Sequence, residues 1–137
     1  MWVYGSCVAT QIGTCVCTIS LSVPWVDAKL SLSGSCAEDC TGLGLFNRGI
    51  VHVANGTFAR MLQLNSVTLS QNAITLLHPD TFKHNTALIY LLLNNDTIAG
   101  LHPNTFKHNT ALEQLFLNCN AITELHPDTF STLTTMT

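Results

Sequence analysis

Charged side chains are scarce in this chain. Lys and Arg number five and Asp and Glu eight among 137 residues, or 9%, where about 25% is usual for a soluble domain. Without a basic cluster and with a formal net charge of −3, nucleic acid and anionic membrane are excluded as partners. Neither a phosphate-cradling glycine loop nor a Walker-type lysine occurs, so no nucleotide site is indicated. Long uninterrupted apolar runs are missing as well. The uncharged stretch from Met1 to Val26 is broken by Gly5, Gln11, Gly13 and Pro24, short of the roughly 18 to 20 apolar residues a spanning helix requires. What remains is apolar and neutral polar. Hydrophobic residues make up 47% of the chain and the mean hydropathy is +0.31. That is ample for the core of one domain, with a surface built from Ser, Thr, Asn and Gln.

The apolar residues fall in a fixed order. Leu77-His78-Pro79-Asp80-Thr81-Phe82 returns as Leu101-His102-Pro103-Asn104-Thr105-Phe106 and as Leu125-His126-Pro127-Asp128-Thr129-Phe130, 24 residues apart each time. Between these anchors lies Leu88-x-x-Leu91-x-Leu93-x-x-Asp96-x-Ile98-x-x-Leu101, matched by Leu112-x-x-Leu115-x-Leu117-x-x-Asn120-x-Ile122-x-x-Leu125. One step back, Leu64, Val67, Leu69, Asn72, Ile74, Leu77 and Phe82 keep the register. A further step gives Cys40, Leu43, Leu45, Arg48, Ile50, Val53 and Phe58, weaker but in phase.

This pattern resembles the leucine-rich repeat, in the 24-residue form found in extracellular recognition proteins such as Toll-like receptor ectodomains, Slit proteins and variable lymphocyte receptors. The resemblance implies an α/β repeat fold. In that solenoid a parallel sheet of short strands forms the concave face, and loops or short helical turns form the convex face. It divides the chain into a segment 1–28, read as a signal peptide or a disordered N-terminus, a capping segment 29–39, and repeats over 40–137. The repeats run 40–63, 64–87, 88–111 and 112–135, with a fifth begun at Met136 and cut short at Thr137.

Framework leucines such as Leu88, Leu91 and Leu93 are expected to face inward, and Ile89, Tyr90 and Leu92 to lie between them on the other face of a strand. The asparagine of the motif is expected to bury its amide against neighbouring backbone. Asp96 departs from the type: a carboxylate accepts N–H bonds but has no donor, so its rung should be less well satisfied than those of Asn72 and Asn120. Phe58, Phe82, Phe106 and Phe130 are expected to stack as a spine. Asn85 and Asn109, in the slot where Met61 and Leu133 are apolar, are read as a second ladder bonding loop backbone.

Residues 1–26 carry no charge, and Val26-Asp27-Ala28 places small residues where a signal peptidase reads them. Against a signal stand the missing Lys or Arg near the start and the hydroxyls that dilute Val16 to Val23; the alternative is a fragment of a longer chain. Of the six cysteines, Cys36 and Cys40 directly precede the first weak repeat. There the resemblance implies a disulfide-tied cap covering the apolar end of the solenoid. The family's usual cap has four cysteines, so either Cys15 or Cys17 completes it or it is reduced to the Cys36–Cys40 bridge. The spacing of Cys15, Cys17, Cys36 and Cys40 does not favour zinc.

Five histidines repeat in phase: His78, His102 and His126 in one column, His84 and His108 in another. They are read as residues copied along with the repeat rather than as a metal site, and no catalytic constellation follows from their positions. Two sequons, Asn55-Gly56-Thr57 and Asn95-Asp96-Thr97, offer glycosylation sites in a secreted chain. Cys119 takes the slot of Asn95 one repeat later. An exposed thiol is a liability in an oxidising compartment, which points to an unseen partner chain or to an intracellular home.

The resemblance implies non-catalytic recognition of a protein or glycan, outside the cell, with no cofactor, metal or small-molecule substrate. The competing reading is a structural or adhesive array without a dedicated ligand. On the concave side the outward positions are Ser66 and Thr68, then Tyr90 and Leu92, then Gln114 and Phe116. With Ile89 and Glu113 they are the expected ligand-binding residues. The incomplete last repeat is expected to leave apolar surface open to self-association.

Overall fold

In the computed structural model residues 40–137 are described in full, and before them the backbone of three strands. Those strands, β1 (Trp2–Val8), β2 (Val16–Ser22) and β3 (Lys29–Leu32), pair antiparallel in sequence order. β3 then pairs in parallel with the two-residue β5 (His52–Val53). Cys36, and with it one half of the expected bridge, lies outside the described residues, as does most of the expected capping segment.

The second sheet organises the rest. β4 (Gly42–Gly44), β6 (Ser66–Thr68), β7 (Tyr90–Leu92) and β8 (Gln114–Phe116) lie side by side, all parallel, in that order. The register is Leu43 beside Val67, Val67 beside Leu91 and Leu91 beside Leu115, so each strand meets its own counterpart 24 residues on. Three residues suffice for each strand because only its central side chain turns inward, as period-two alternation requires. Val67 and Leu91 are completely buried.

After each strand the chain turns back through a run of i→i+3 bonds rather than a helix. In one coil these run from Thr81 N–H to His78 O, Lys83 to Asp80, Asn85 to Phe82 and Leu88 to Asn85; the next coil repeats them from Thr105 to Leu112. Each His-Pro pair opens such a run, where proline's fixed φ suits a turn and its missing N–H leaves no donor unpaired. The core between the two sides is one stack of Leu64, Leu69, Ile74, Leu77 and Phe82 with their counterparts Leu88, Leu93, Ile98, Leu101 and Phe106. The phenylalanines pack face to face in pairs, Phe58 on Phe82 at 5.6 Å between centroids and Phe106 on Phe130 at 6.3 Å.

Candidate functional site: the concave strand face

On the concave face the outward positions form two columns. Gly42, Ser66, Tyr90 and Gln114 stand in register, and so do Gly44, Thr68, Leu92 and Phe116. Side-chain size grows along the second column from nothing at Gly44, where an added Cβ would meet no atom within 4 Å, through Thr68 to Leu92 and Phe116. Tyr90 is 37% exposed and Phe116 42%, while Leu92, Ser66, Thr68 and Ile89 are half-buried and Glu113 and Gln114 exposed. Leu92 and Phe116 are direct neighbours, and Tyr90 faces Gln114. Ser66, Thr68, Tyr90, Leu92, Gln114 and Phe116 therefore share one surface, an apolar-aromatic step rising from a floor of small hydroxyls. Ile89 and Glu113 stand one residue before their strands, and Glu113 is the carboxylate next to that surface in the chain.

Two amide ladders brace the coils, one beside this face and one in the convex turns. In the first, Asn72 Oδ1 accepts the N–H groups of Arg48 at 2.8 Å and Ile50 at 3.1 Å, and its Nδ2 donates to Leu45 O and Leu69 O. Asn120 repeats the arrangement, accepting from Ile98 N–H and donating to Leu93 O and Leu117 O. Asp96, between them, accepts the Ile74 N–H at Oδ1, 3.1 Å away, while its buried Oδ2 has no partner. The expectation of a poorer rung holds. Burial pushes the Asp96 carboxyl above the ordinary aspartate range, against the opposing pull of N–H bonds from Ile74 and Asn72.

The second ladder runs through the convex turns. Asn85 Nδ2 donates to Phe58 O and Met61 O, and Asn109 Nδ2 to Phe82 O and Asn85 O, all at 2.9 Å. Both side chains are completely buried.

Sequence reasoning missed one column altogether and the role of another. Asn47, Gln71, Asn95 and Cys119 all adopt the left-handed conformation, φ between 52° and 58°. The first three point N–H at a carbonyl of the next coil: Asn47 to Ser70, Gln71 to Asn94, Asn95 to Asn118. Three of the four carry a side-chain amide and Cys119 does not, so the signal is their common spacing together with the two asparagines, a type that tolerates this conformation. The second column is His78, His102 and His126. Each accepts at Nδ1 the backbone N–H two residues on, from Asp80 and Asn104 at 3.1 Å and from Asp128 at 3.2 Å. These histidines close turns. Among the described residues no cluster of three or more His, Cys, Asp or Glu has the grouping of a metal site.

Of the remaining expected positions, Asn55 and Asn95 are exposed. Cys40 is buried at the head of the core stack. Cys119 is exposed and, among the described residues, is the free cysteine.

Comparison with known families matches the profile described as leucine rich repeat over residues 43–98 and 88–137. The chain belongs to the leucine-rich repeat family. Solved structures share the fold. A chain from the LRIM1/APL1C complex aligns with TM-score 0.65 and 24% identity, over 70% of this chain and 18% of that one. The ectodomain of the receptor kinase SOBIR1 from Arabidopsis thaliana aligns with TM-score 0.58 and 19% identity, over 93% and 64%. A chain from the octameric complex of Latrophilin 3, Unc5D and FLRT2 aligns with TM-score 0.53 and 20% identity, over 74% and 39%. The leucine-rich repeat chain thus spans less than two thirds of each of these neighbours. Comparison with curated proteins finds no match.

Proposed function

We propose that this leucine-rich repeat chain is a non-catalytic, extracellular recognition module that holds a protein partner against its concave strands. The observation that carries the reading is the exposed step of Tyr90, Leu92 and Phe116, rimmed by Ser66, Thr68, Ile89, Glu113 and Gln114. Aromatic side chains at the centre of a polar-rimmed surface are the residue type that supplies most interface energy. Two of the structural neighbours were solved within protein complexes, which supports a protein over a glycan as ligand. Residues 29–39 serve as the N-terminal cap, tied by a Cys36–Cys40 bridge that mass mapping after alkylation without reduction would detect. A glycan on Asn55 sits on the convex half, whereas one on Asn95, three residues past the end of β7, crowds the concave rim.

Panning a displayed library of protein fragments on the folded chain tests the concave reading. Binders should lose at least about thirty-fold in affinity, or about 2 kcal/mol, on the Tyr90→Ala/Phe116→Ala double variant while its melting temperature is kept. Binders indifferent to both substitutions would overturn it. A second surface favours self-association: Leu125 is 44% exposed and Met136 41%, and sedimentation at rising concentration would report a dimer formed through them.

A further inference from the structure

We propose that Asp96 makes the asparagine ladder acid-responsive: a proton taken up at Oδ2 supplies the donor that its neighbours supply through their amides, and the coil carrying β7 tightens as pH falls. The argument starts from the register. Asn72 Nδ2 bridges Leu45 O and Leu69 O, and Asn120 Nδ2 bridges Leu93 O and Leu117 O. Moving the Asn72 pattern on by one repeat places Leu69 O and Leu93 O as the acceptors that belong to position 96. Each of these carbonyls already has one amide donor, from Asn72 and from Asn120. What the ionised Asp96 leaves unmet is therefore its own Oδ2, buried and without a partner, on the side where its neighbours carry N–H groups.

A carboxylate oxygen in that place has two lone-pair acceptors and no proton. Protonation changes it into an O–H group of the same size, able to donate to Leu69 O or Leu93 O, with the proton drawn from solvent and no other bond broken. Little else competes for control. The flanking rungs are amides, and the ionisable groups on the adjoining ascending loops are the exposed Cys119 thiol and, five residues further along the same loop, the exposed Glu124 one coil on, and the exposed Arg48 two coils back. No charged side chain figures among the causes of the Asp96 shift; they are burial and the N–H bonds of Ile74 and Asn72.

The direction follows from linkage. A carboxyl that binds its proton more tightly in the folded chain than in the unfolded one contributes stability below its unfolded pKa. That contribution declines as pH rises and is gone above the folded pKa. Asp96 therefore weakens the folded chain at neutral pH relative to acid.

Melting temperatures of the wild type and Asp96→Asn, measured from about pH 8 down to about pH 4 across the carboxylate range, isolate this group because all other titrations are shared. The substitution keeps the sequon formed by Asn95 and Thr97, so glycosylation is unaltered. The variant should melt several degrees higher near neutrality, and the gap should shrink as pH falls. A gap that is constant or widens in acid overturns the proposal. The carbon-13 titration of the Asp96 carboxyl in the wild type gives a second reading: a midpoint above the ordinary aspartate range supports it, and one at or below that range overturns it. Both measurements are made without ligand, so they stand or fall apart from the concave-face reading.

Discussion

Asn109 hangs from Asn85: the Nδ2 of Asn109 donates at 2.9 Å to the main-chain oxygen of Asn85, which holds the same place one coil earlier and donates in turn to Met61 O. Two buried polar residues thereby join three convex turns. The acceptors have other partners too, since Phe82 O receives the Asn85 N–H and Asn85 O the Leu88 N–H.

This sharing predicts an ordering of substitutions. Asn109→Ala removes two amide bonds and leaves a void, and should cost about 2–4 kcal/mol. Asn109→Leu, of the kind present at Met61 and Leu133, fills the void and orphans no carbonyl. It should cost less than Asn109→Ala. Denaturant unfolding of both variants measures the difference, and equal losses would show that filling the space contributes nothing.

Cys119 adopts a φ of 57°, a conformation that costs most L-residues roughly 1–2 kcal/mol and that Asn tolerates better. Cys119→Asn should therefore raise stability, by about 0.5–1 kcal/mol, and abolish any disulfide-linked dimer seen on non-reducing gels. A variant that melts below the wild type would show that the thiol has a packing role its exposure does not suggest.

The histidine column makes a separate prediction. His102→Ala removes the acceptor of the Asn104 N–H and should cost about 0.5–1.5 kcal/mol. His102→Asn should recover most of that loss, because an asparagine side chain bonds the backbone two residues on in the same way. If Asn and Ala are equally destabilising in thermal melts, the ring contributes by contact rather than by its Nδ1.

The last coil is looser than those before it. Leu101 and Phe106 are buried, while their counterparts Leu125 and Phe130 are exposed and half-buried. Appending one further coil with framework leucines should cover Leu115, Leu117, Ile122 and Phe130, raise the melting temperature and reduce association at high concentration. An extended chain with unchanged melting and unchanged sedimentation would argue that this end is already satisfied.

How much of this was legible in advance depends on whether a role demands a side-chain type. Inward positions such as Leu64, Leu88 and Leu112 demand an apolar residue in every coil, so their period appears directly. Asn85 and Asn109 demand an amide, and two copies were enough to suggest a ladder. The left-handed column demands only a backbone conformation, which Asn47, Gln71 and Asn95 adopt with an amide side chain and Cys119 without one, so the side-chain signal is broken at the last coil. The histidine caps depend on ring orientation within a turn, which a repeated His-Pro pair does not disclose. On the concave face, alternation separates Tyr90 and Phe116 from the leucines beside them. Exposed positions are free to differ from coil to coil, so their chemistry carries no periodic signal.

The side-chain bonds between coils join residues 22 to 27 apart in the chain, as in Ile74 to Asp96, Ser70 to Asn94 and Leu93 to Asn120. No such bond within the repeats has to wait for distant parts of the chain to meet. Loop-closure entropy is consequently small and uniform, and folding can start in any adjacent pair of coils and zip outward in both directions. The best-packed pair, around β6 and β7, is the natural place for that nucleus, with the coil of β8 joining late and opening first.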